Sequence, residues 1–600
     1  MKKLERSLSL PYVIAISIGG MLGSGIFVLP GFAASLTGSS VWLAYLIAAL
    51  CILPAALSKS ELATAMPASG GTYVYIERAF GPLFGTISGL GLWLSLLLKS
   101  SFALIGLGAY LAVLINIDDS LTKLVALGFL CFILFINIFG IKKVGKVQIV
   151  VVSLSLVCLV SIFLFGFPLV KPEFLSPFLS NGNKGLISTV AFVYISYAGV
   201  TKVAAIAGEI KNPDRNLPLA MIISLVTIAC VYVFIAFVLV GNIPIEDLAT
   251  DVRPIYTVSN IIGGKYFGYA AAAVGVITLM SMANSGVLAS SRFPFAMARD
   301  RLLPPFLEKL HSRYLTPVAS IIITCLAMAL VIVLLDVVKI AKLASAFKVM
   351  MFISVNFCVI ILRETSAQWY NPSYKSPLYP FLQIFGIFSG FVLLVFLGWM
   401  PFVAILAISV IGACIYFTIG KDATRTGVLR NYGHRPALFL FYKKNRKQLK
   451  KEGRSISKNL DGKLASKAGV VVPLLGNENS AEMLTEIASA INSRDSVQVV
   501  NITEIPNQTF LDAFKQDTPK VVSIARRLNK LSLSQKLNID FESVVTHEVS
   551  NTVAQLSGQT NCDWLVMGWN GKAHSGLLIR NPIGWLLTHV DSNFALFKDN

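Results

Sequence analysis

The sequence predicts an all-α multi-pass membrane protein of twelve spans, followed by a small cytoplasmic α/β domain built on a parallel sheet. Three observations predict it. Hydrophobic residues make up 55% of the 600 and charged residues only 14%, against about 25% charged in an ordinary soluble domain. Twelve apolar stretches precede residue 421, each near the roughly 20 residues that a helix needs to cross a hydrocarbon core. The charge density then changes: residues 1–420 carry 27 basic and 15 acidic side chains, whereas the much shorter 421–600 carry 24 and 16. That is a membrane unit followed by a soluble one.

The stretches fall at 10–33, 40–57, 84–115, 121–140, 147–169, 186–207, 217–241, 264–290, 316–336, 343–362, 378–398 and 401–419. The first is not read as a cleaved signal, because Gly19, Gly20, Gly23 and Gly25 interrupt it and it runs on to Pro30 without a small-residue cleavage site. With a cytoplasmic N-terminus, the inner loops hold 17 Lys/Arg and the outer loops seven, so the positive-inside rule sets both termini in the cytoplasm. Seven of the eight cysteines lie in apolar spans and Cys562 in the C-terminal domain, with no paired spacing. Neither a disulfide framework nor a metal site is expected.

Two spans carry glycine where a membrane helix needs an unbroken hydrogen-bond ladder. The first reads Ser17-Ile18-Gly19-Gly20-Met21-Leu22-Gly23-Ser24-Gly25-Ile26-Phe27, and the sixth Ser196-Tyr197-Ala198-Gly199-Val200-Thr201-Lys202. They sit near the midpoints of spans five apart, the pattern of an inverted repeat whose two discontinuous helices meet at the midplane. A half-helix starting at Ser24-Gly25-Ile26 offers free N–H groups to a carboxylate. The preceding half-helices offer carbonyls to an ammonium group or a small cation. A site with both is shaped for a zwitterion.

Gly23-Ser24-Gly25-Ile26-Phe27 resembles the G-S-G-I-F signature of the amino acid–polyamine–organocation permeases. So do residues 61–80 after the second span, Glu209-Ile210-Lys211-Asn212-Pro213-Asp214-Arg215-Asn216-Leu217-Pro218 after the sixth, and Ala298-Arg299-Asp300-Arg301-Leu302-Leu303-Pro304 after the eighth. The resemblance implies the leucine-transporter-like fold, a 5+5 inverted repeat plus two helices, working by alternating access. It also implies that Gly23, Ser24, Gly25 and Ile26 form a backbone cradle for a substrate carboxylate. Carbonyls near Gly19–Met21 and of Ser196, Tyr197, Ala198 and Gly199 would hold the α-amine, with Tyr197 as an aromatic lid.

Coupling follows from the intramembrane cations Lys99, Lys202 and Lys348, which are functional candidates by default. Lys348 is placed one turn from the outer end of its span, where it would snorkel. Relatives that fill a sodium position with a fifth-span lysine have Ser155 at that position here. Two options stay open: Lys99 or Lys202 supplies a proton-exchanging charge, or sodium binds through hydroxyls such as Ser281 and Ser285. All five histidines lie in cytoplasmic segments, which excludes a transmembrane histidine relay. The sixth-span acid of many relatives is replaced by Thr201 beside Lys202, so a neutral or acidic amino acid suits the site better than a cationic one.

Residues 421–467 hold 14 basic and three acidic side chains. The cluster at 443–451 reads as a linker held on anionic lipid rather than on nucleic acid, for which no reader motif appears. Residues 468–600 alternate strand and helix, with strands at 468–475, 497–502, 541–546, 564–568 and 594–597 and helices at 480–491, 520–533, 550–557 and 584–589. This order, with Trp564-Leu565-Val566-Met567-Gly568-Trp569-Asn570-Gly571, resembles a universal stress protein domain. The phosphate loop departs from that family at Asn581-Pro582, and the acid expected directly after the first strand is absent. ATP binding is therefore expected to be weak or nil, and no cofactor is expected.

No nucleophile–base pair, metal-spaced cluster or P-loop points to an enzyme or a pump. The leading expectation is secondary transport of an amino acid across the inner membrane, with proton or sodium coupling or exchange. A potassium-like cation permease of the same architecture and a non-transporting sensor remain as alternatives.

Overall fold

The computed structural model describes residues 8–66, 71–115, 118, 121–139, 144–314, 316–365, 367, 369–420, 427–428, 468–476, 478, 480–492, 496–505, 518–569, 586 and 590–598. They form two compact units, one helical and one carrying the sheet.

In the helical unit the first span is in three pieces, α1 (Leu10–Met21), α2 (Ser24–Phe27) and α3 (Leu29–Thr37). Then come α4 (Val41–Ala65), the short α5 (Thr72–Phe80), α6 (Pro82–Ile115), α7 (Thr122–Phe139) and α8 (Val144–Gly166). Next is α9 (Gly182–Val193), which passes without interruption into a 3-10 segment, Tyr194–Glu209. The remainder are α10 (Pro213–Asn242), α11 (Ile245–Thr250), α12 (Pro254–Arg299), α13 (Val318–Leu334), α14 (Val337–Glu364), α15 (Phe381–Phe396) and α16 (Trp399–Thr418). Nine helical stretches among the described residues are long and apolar enough to cross a membrane, and α1, α13 and α15 are shorter apolar helices. On α7, α8 and α16 the outward side chains are themselves apolar, for example Phe132, Phe135, Phe139, Val157, Leu406 and Val410. Rows of that kind are stable against hydrocarbon, not water.

Three sequence expectations change here. Lys59, assigned to a cytoplasmic loop, is buried within α4. The polar run Ser58-Lys59-Ser60-Glu61 lowers the local hydropathy, yet the helix continues, with Ser58, Ser60 and Glu61 hydrogen-bonded inside the bundle. Ser58 Oγ donates to Asn356 Oδ1 (2.8 Å), and Glu61 Oε2 accepts from Ser376 N–H (2.8 Å) and Oγ (2.7 Å). Lys348 does not snorkel. Its helix begins at Val337 rather than 343, which puts the lysine about three turns inside, 3% exposed, with its ammonium 4.8 Å from the Phe352 ring centroid. The sixth span is not cut in two: it tightens from α to 3-10 winding over sixteen residues, far longer than the usual 3–4 residues.

The second unit is a five-stranded, all-parallel sheet of β1 (Val470–Leu474), β2 (Val497–Glu504), β3 (Ile539–Thr546), β4 (Trp564–Trp569) and β5 (Asn593–Lys598), in the order β3-β2-β1-β4-β5. Three helices connect the strands: α17 (Ala481–Ile491), α18 (Pro519–Gln535) and α19 (Val549–Thr560). Both sheet faces are covered, which is why β1 reads Val-Val-Val-Pro-Leu with no alternation. Val470, Val472 and Leu474 pack with Leu484, Ala488 and Leu528, while Val471 faces the opposite way onto Val553 and Leu556. The expected helix at 584–589 (Leu586 apart), the linker 429–467 with its cluster at 443–451, and the positions Asn570, Gly571, Asn581 and Pro582 lie outside the described residues.

Candidate functional site

The break in the first span is a glycine property. Gly23 has φ 142° and ψ −130°, a conformation that L side chains rarely adopt. Its missing side chain also makes room for the sulfur of Met282 on α12, which occupies the place of a Cβ. The last ladder bond of α1 is Leu22 N–H to Ile18 O (2.7 Å), and the next turn restarts with Ile26 and Phe27 N–H on Gly23 O (3.1 and 3.0 Å).

A broken helix leaves orphan carbonyls, and four other helices meet them. Gly20 O accepts from Lys99 Nζ (3.2 Å) of α6, and Met21 O from the Tyr232 hydroxyl (2.7 Å) of α10. Gly25 O accepts from the Tyr45 hydroxyl (2.6 Å) of α4 and Ser196 Oγ (3.4 Å), and Phe27 O from the Tyr110 hydroxyl (2.7 Å) of α6. On the donor side, Ser24 N–H points at Met282 Sδ (3.3 Å), a weak acceptor. Ile26 N–H is consumed by Gly23 O. Gly25 N–H is paired with no described residue. Among Ser24, Gly25 and Ile26, the donors open to a carboxylate are thus Ser24, held only by a thioether, and Gly25.

The sixth span lies directly against this break. A Cβ on Gly199 would run into the main chain of Gly20 and Met21, and one on Gly25 would come 2.8 Å from Ser196 Cβ. Residues 23–26 and 196–199 are all buried. Tyr197 packs with Tyr45 and Tyr232 at centroid distances of 6.4 and 5.2 Å, and its hydroxyl donates to Tyr45 O (2.9 Å). In this conformation it is a packed member of a tyrosine triad. Two further contacts involve the ends of these spans: Lys211 N–H bonds Leu8 O (2.9 Å) beside a bridge between Leu8 and Ile210. Gly31 of α3 packs on the Leu248 and Asp251 carbonyls at α11.

The coupling candidates divide. Lys99 Nζ reaches both glycine spans, with Ile195 O at 3.0 Å and Ser196 O at 3.4 Å besides Gly20 O. Lys202 Nζ lies 3.5 Å from Ser285 Oγ on α12, and its chain passes Gly20. Ser281 Oγ donates to Gln148 Oε1 (3.0 Å), and Gln148 fills the space beside Gly19. Ser155 shares a hydrogen bond with Thr278 (2.6 Å) and is not joined to the Lys99 or Lys202 contacts. Sequence reasoning missed Tyr45, Tyr110, Tyr232, Gln148 and Met282 as site residues. A tyrosine in mid-span was the available signal, since its hydroxyl must find an acceptor inside the bundle.

The family described as amino acid permease matches residues 8–420. The chain belongs to the amino acid permease family. Among curated relatives, the branched-chain amino acid permease BcaP of Bacillus subtilis is 29% identical over 71% of this chain and 95% of its own length. The serine/threonine exchanger SteT of the same organism is 28% identical over 65% and 91%. The vacuolar cationic amino acid transporter 4 of Arabidopsis thaliana is 30% identical over 60% and 64%. This is a family of multi-pass membrane transporters rather than enzymes.

In the second unit, the permuted strand order puts a topological switch point between β1 and β4, where ligands of open parallel sheets bind. The carboxylate of Glu478 already sits there: Oε1 accepts Leu475 N–H, and Oε2 accepts Gly476 N–H (2.7 Å). Gly476 has φ 87°, the turn that aims successive N–H groups at an anion. The acid that is absent directly after β1 is thus supplied from three residues further on, and it fills the anion nest itself.

Proposed function

We propose that the chain moves a neutral or acidic amino acid across the cytoplasmic membrane by alternating access, through twelve spans with both termini in the cytoplasm. The observation that carries the reading is the pair of N–H groups at Ser24 and Gly25 beside the carbonyls of Gly20, Ile195 and Ser196. These are an anion seat and a cation seat next to each other. The side-chain preference is supported by the resident cations Lys99 and Lys202 at the break, which disfavour a cationic substrate. The bacterial relatives named for branched-chain amino acids and for serine and threonine agree with a neutral side chain.

Lys202 against Ser285 supports a resident lysine charge, and so a proton or exchange, over sodium as the coupling element. A counterflow panel in proteoliposomes, run with and without proton and sodium gradients, tests both points. Saturable uptake of alanine, serine, leucine or glutamate without sodium is expected. Saturable arginine uptake with none of these overturns the preference, and an absolute sodium requirement overturns the coupling.

The domain organisation proposed is 1–420 for transport, 421–467 as a basic linker whose 443–451 cluster lies on anionic lipid, and 468–600 as a regulatory or assembly domain resembling a universal stress protein. The Glu478 carboxylate in the nest after β1 would repel a phosphate. Full-length protein titrated with ATP is therefore expected to show no saturable binding in the micromolar range, and a micromolar affinity would refute this.

A further inference from the structure

The amine seat of the transport site is occupied by the protein itself. Lys99 Nζ donates to Gly20 O (3.2 Å), Ile195 O (3.0 Å) and Ser196 O (3.4 Å). An alkylammonium has three N–H donors, so these carbonyls satisfy it completely. They come from both glycine-bearing spans and lie where a zwitterion would need them. Gly20 O is the acceptor that Ser24 N–H would have bonded had the helix continued, so the cation seat and the carboxylate donors are the two sides of one broken bond. Lys99 is 4% exposed, and among the described residues the charged groups that act on it are Lys202 and Lys348, both cations. Among the described residues, its hold on the seat therefore comes from the carbonyls, against the repulsion of these neighbours.

Resting on the amino acid reading above, we infer that Lys99 is a built-in competitor of the substrate: its ammonium stands in the seat of the α-ammonium, and an amino acid binds by expelling it. The empty transporter thereby keeps the two glycine spans tied together through a tethered amine, and the substrate's own amine takes over the tie. A seat that the protein's own group holds lowers the apparent affinity by the fraction of time it is free. A seat free about a tenth of the time costs about tenfold.

The test uses purified full-length Lys99→Ala and Lys99→Gln proteins beside the unmodified one. Binding of L-alanine, L-serine, L-leucine and L-glutamate is measured, together with thermal unfolding in methylammonium chloride and in tetramethylammonium chloride. Expected are about tenfold tighter binding of the amino acids that bind the unmodified protein, and stabilisation of Lys99→Ala by methylammonium, which also competes with the amino acid. Tetramethylammonium, with no N–H donor, is expected to do neither, and methylammonium to leave the unmodified protein unchanged. Unchanged or weaker amino acid binding by a folded variant overturns the inference, as does indifference of Lys99→Ala to methylammonium. It also falls if both variants fail to fold even in methylammonium, which would make Lys99 a structural strut. Stabilisation specific to methylammonium, with none of the four amino acids bound by any form, keeps the seat and sinks the amino acid reading instead.

Discussion

Gly199→Ala is expected to abolish transport in proteoliposomes while leaving a protein that inserts and purifies with a lowered melting temperature. The added methyl group would meet the carbonyl carbon and oxygen of Gly20 and the amide nitrogen of Met21 at less than contact distance. These are main-chain atoms beside the break, so no rotamer change relieves the overlap, and spans one and six must part. Overpacking of that kind costs about 1–3 kcal/mol. Here the displacement falls on the Gly20, Ile195 and Ser196 carbonyls that accept from Lys99, the proposed cation seat. Gly128→Ala on α7 is the control, because nothing lies within 4 Å of its added methyl group. A helix interior gains roughly 0.5–1 kcal/mol from that change. Wild-type uptake by Gly199→Ala would show that the two spans need not touch.

Tyr232→Phe is the second large effect. Its hydroxyl is the donor assigned to Met21 O, at 2.7 Å, in a fully buried position. Leaving a buried carbonyl unsatisfied costs about 1–3 kcal/mol, which corresponds to a loss of transport of about 5- to 160-fold if the broken-helix geometry is needed in the transporting state. Tyr45→Phe removes the matching donor from Gly25 O, but Ser196 Oγ stands 3.4 Å from the same oxygen. It is therefore expected to do less harm. Initial uptake rates of the two variants, normalised to inserted protein, check the order. Equal rates for Tyr232→Phe and the unmodified protein would mean that the hydroxyl only fills space.

What the chain revealed before folding was what hydrocarbon forces on a sequence. Lipid demands long apolar helices and punishes an interrupted ladder, so span positions and the glycine runs at 19–25 and 196–199 stand out. Helix ends drifted where polar side chains entered the bundle: Glu61 read as a terminus because its partner Ser376 lies over 300 residues away. The parallel sheet was legible through the alternation of strand and helix with short links, whereas Glu478 was hidden because a carboxylate four residues beyond β1 gains its meaning only from the Gly476 turn.

The sequence by itself determined the membrane class, the broken first span and the family motifs, because each is a local pattern written into consecutive residues. Only the tertiary structure decided which groups answer the break. Lys99, Tyr45, Tyr110 and Tyr232 come from three helices, and nothing in their spacing tells which carbonyl each reaches. An orphan carbonyl in a dry interior must be met by some donor, and the packing of distant helices chooses which. That choice turned Lys99 from one of three intramembrane cations into the residue that bonds the carbonyls of both glycine spans.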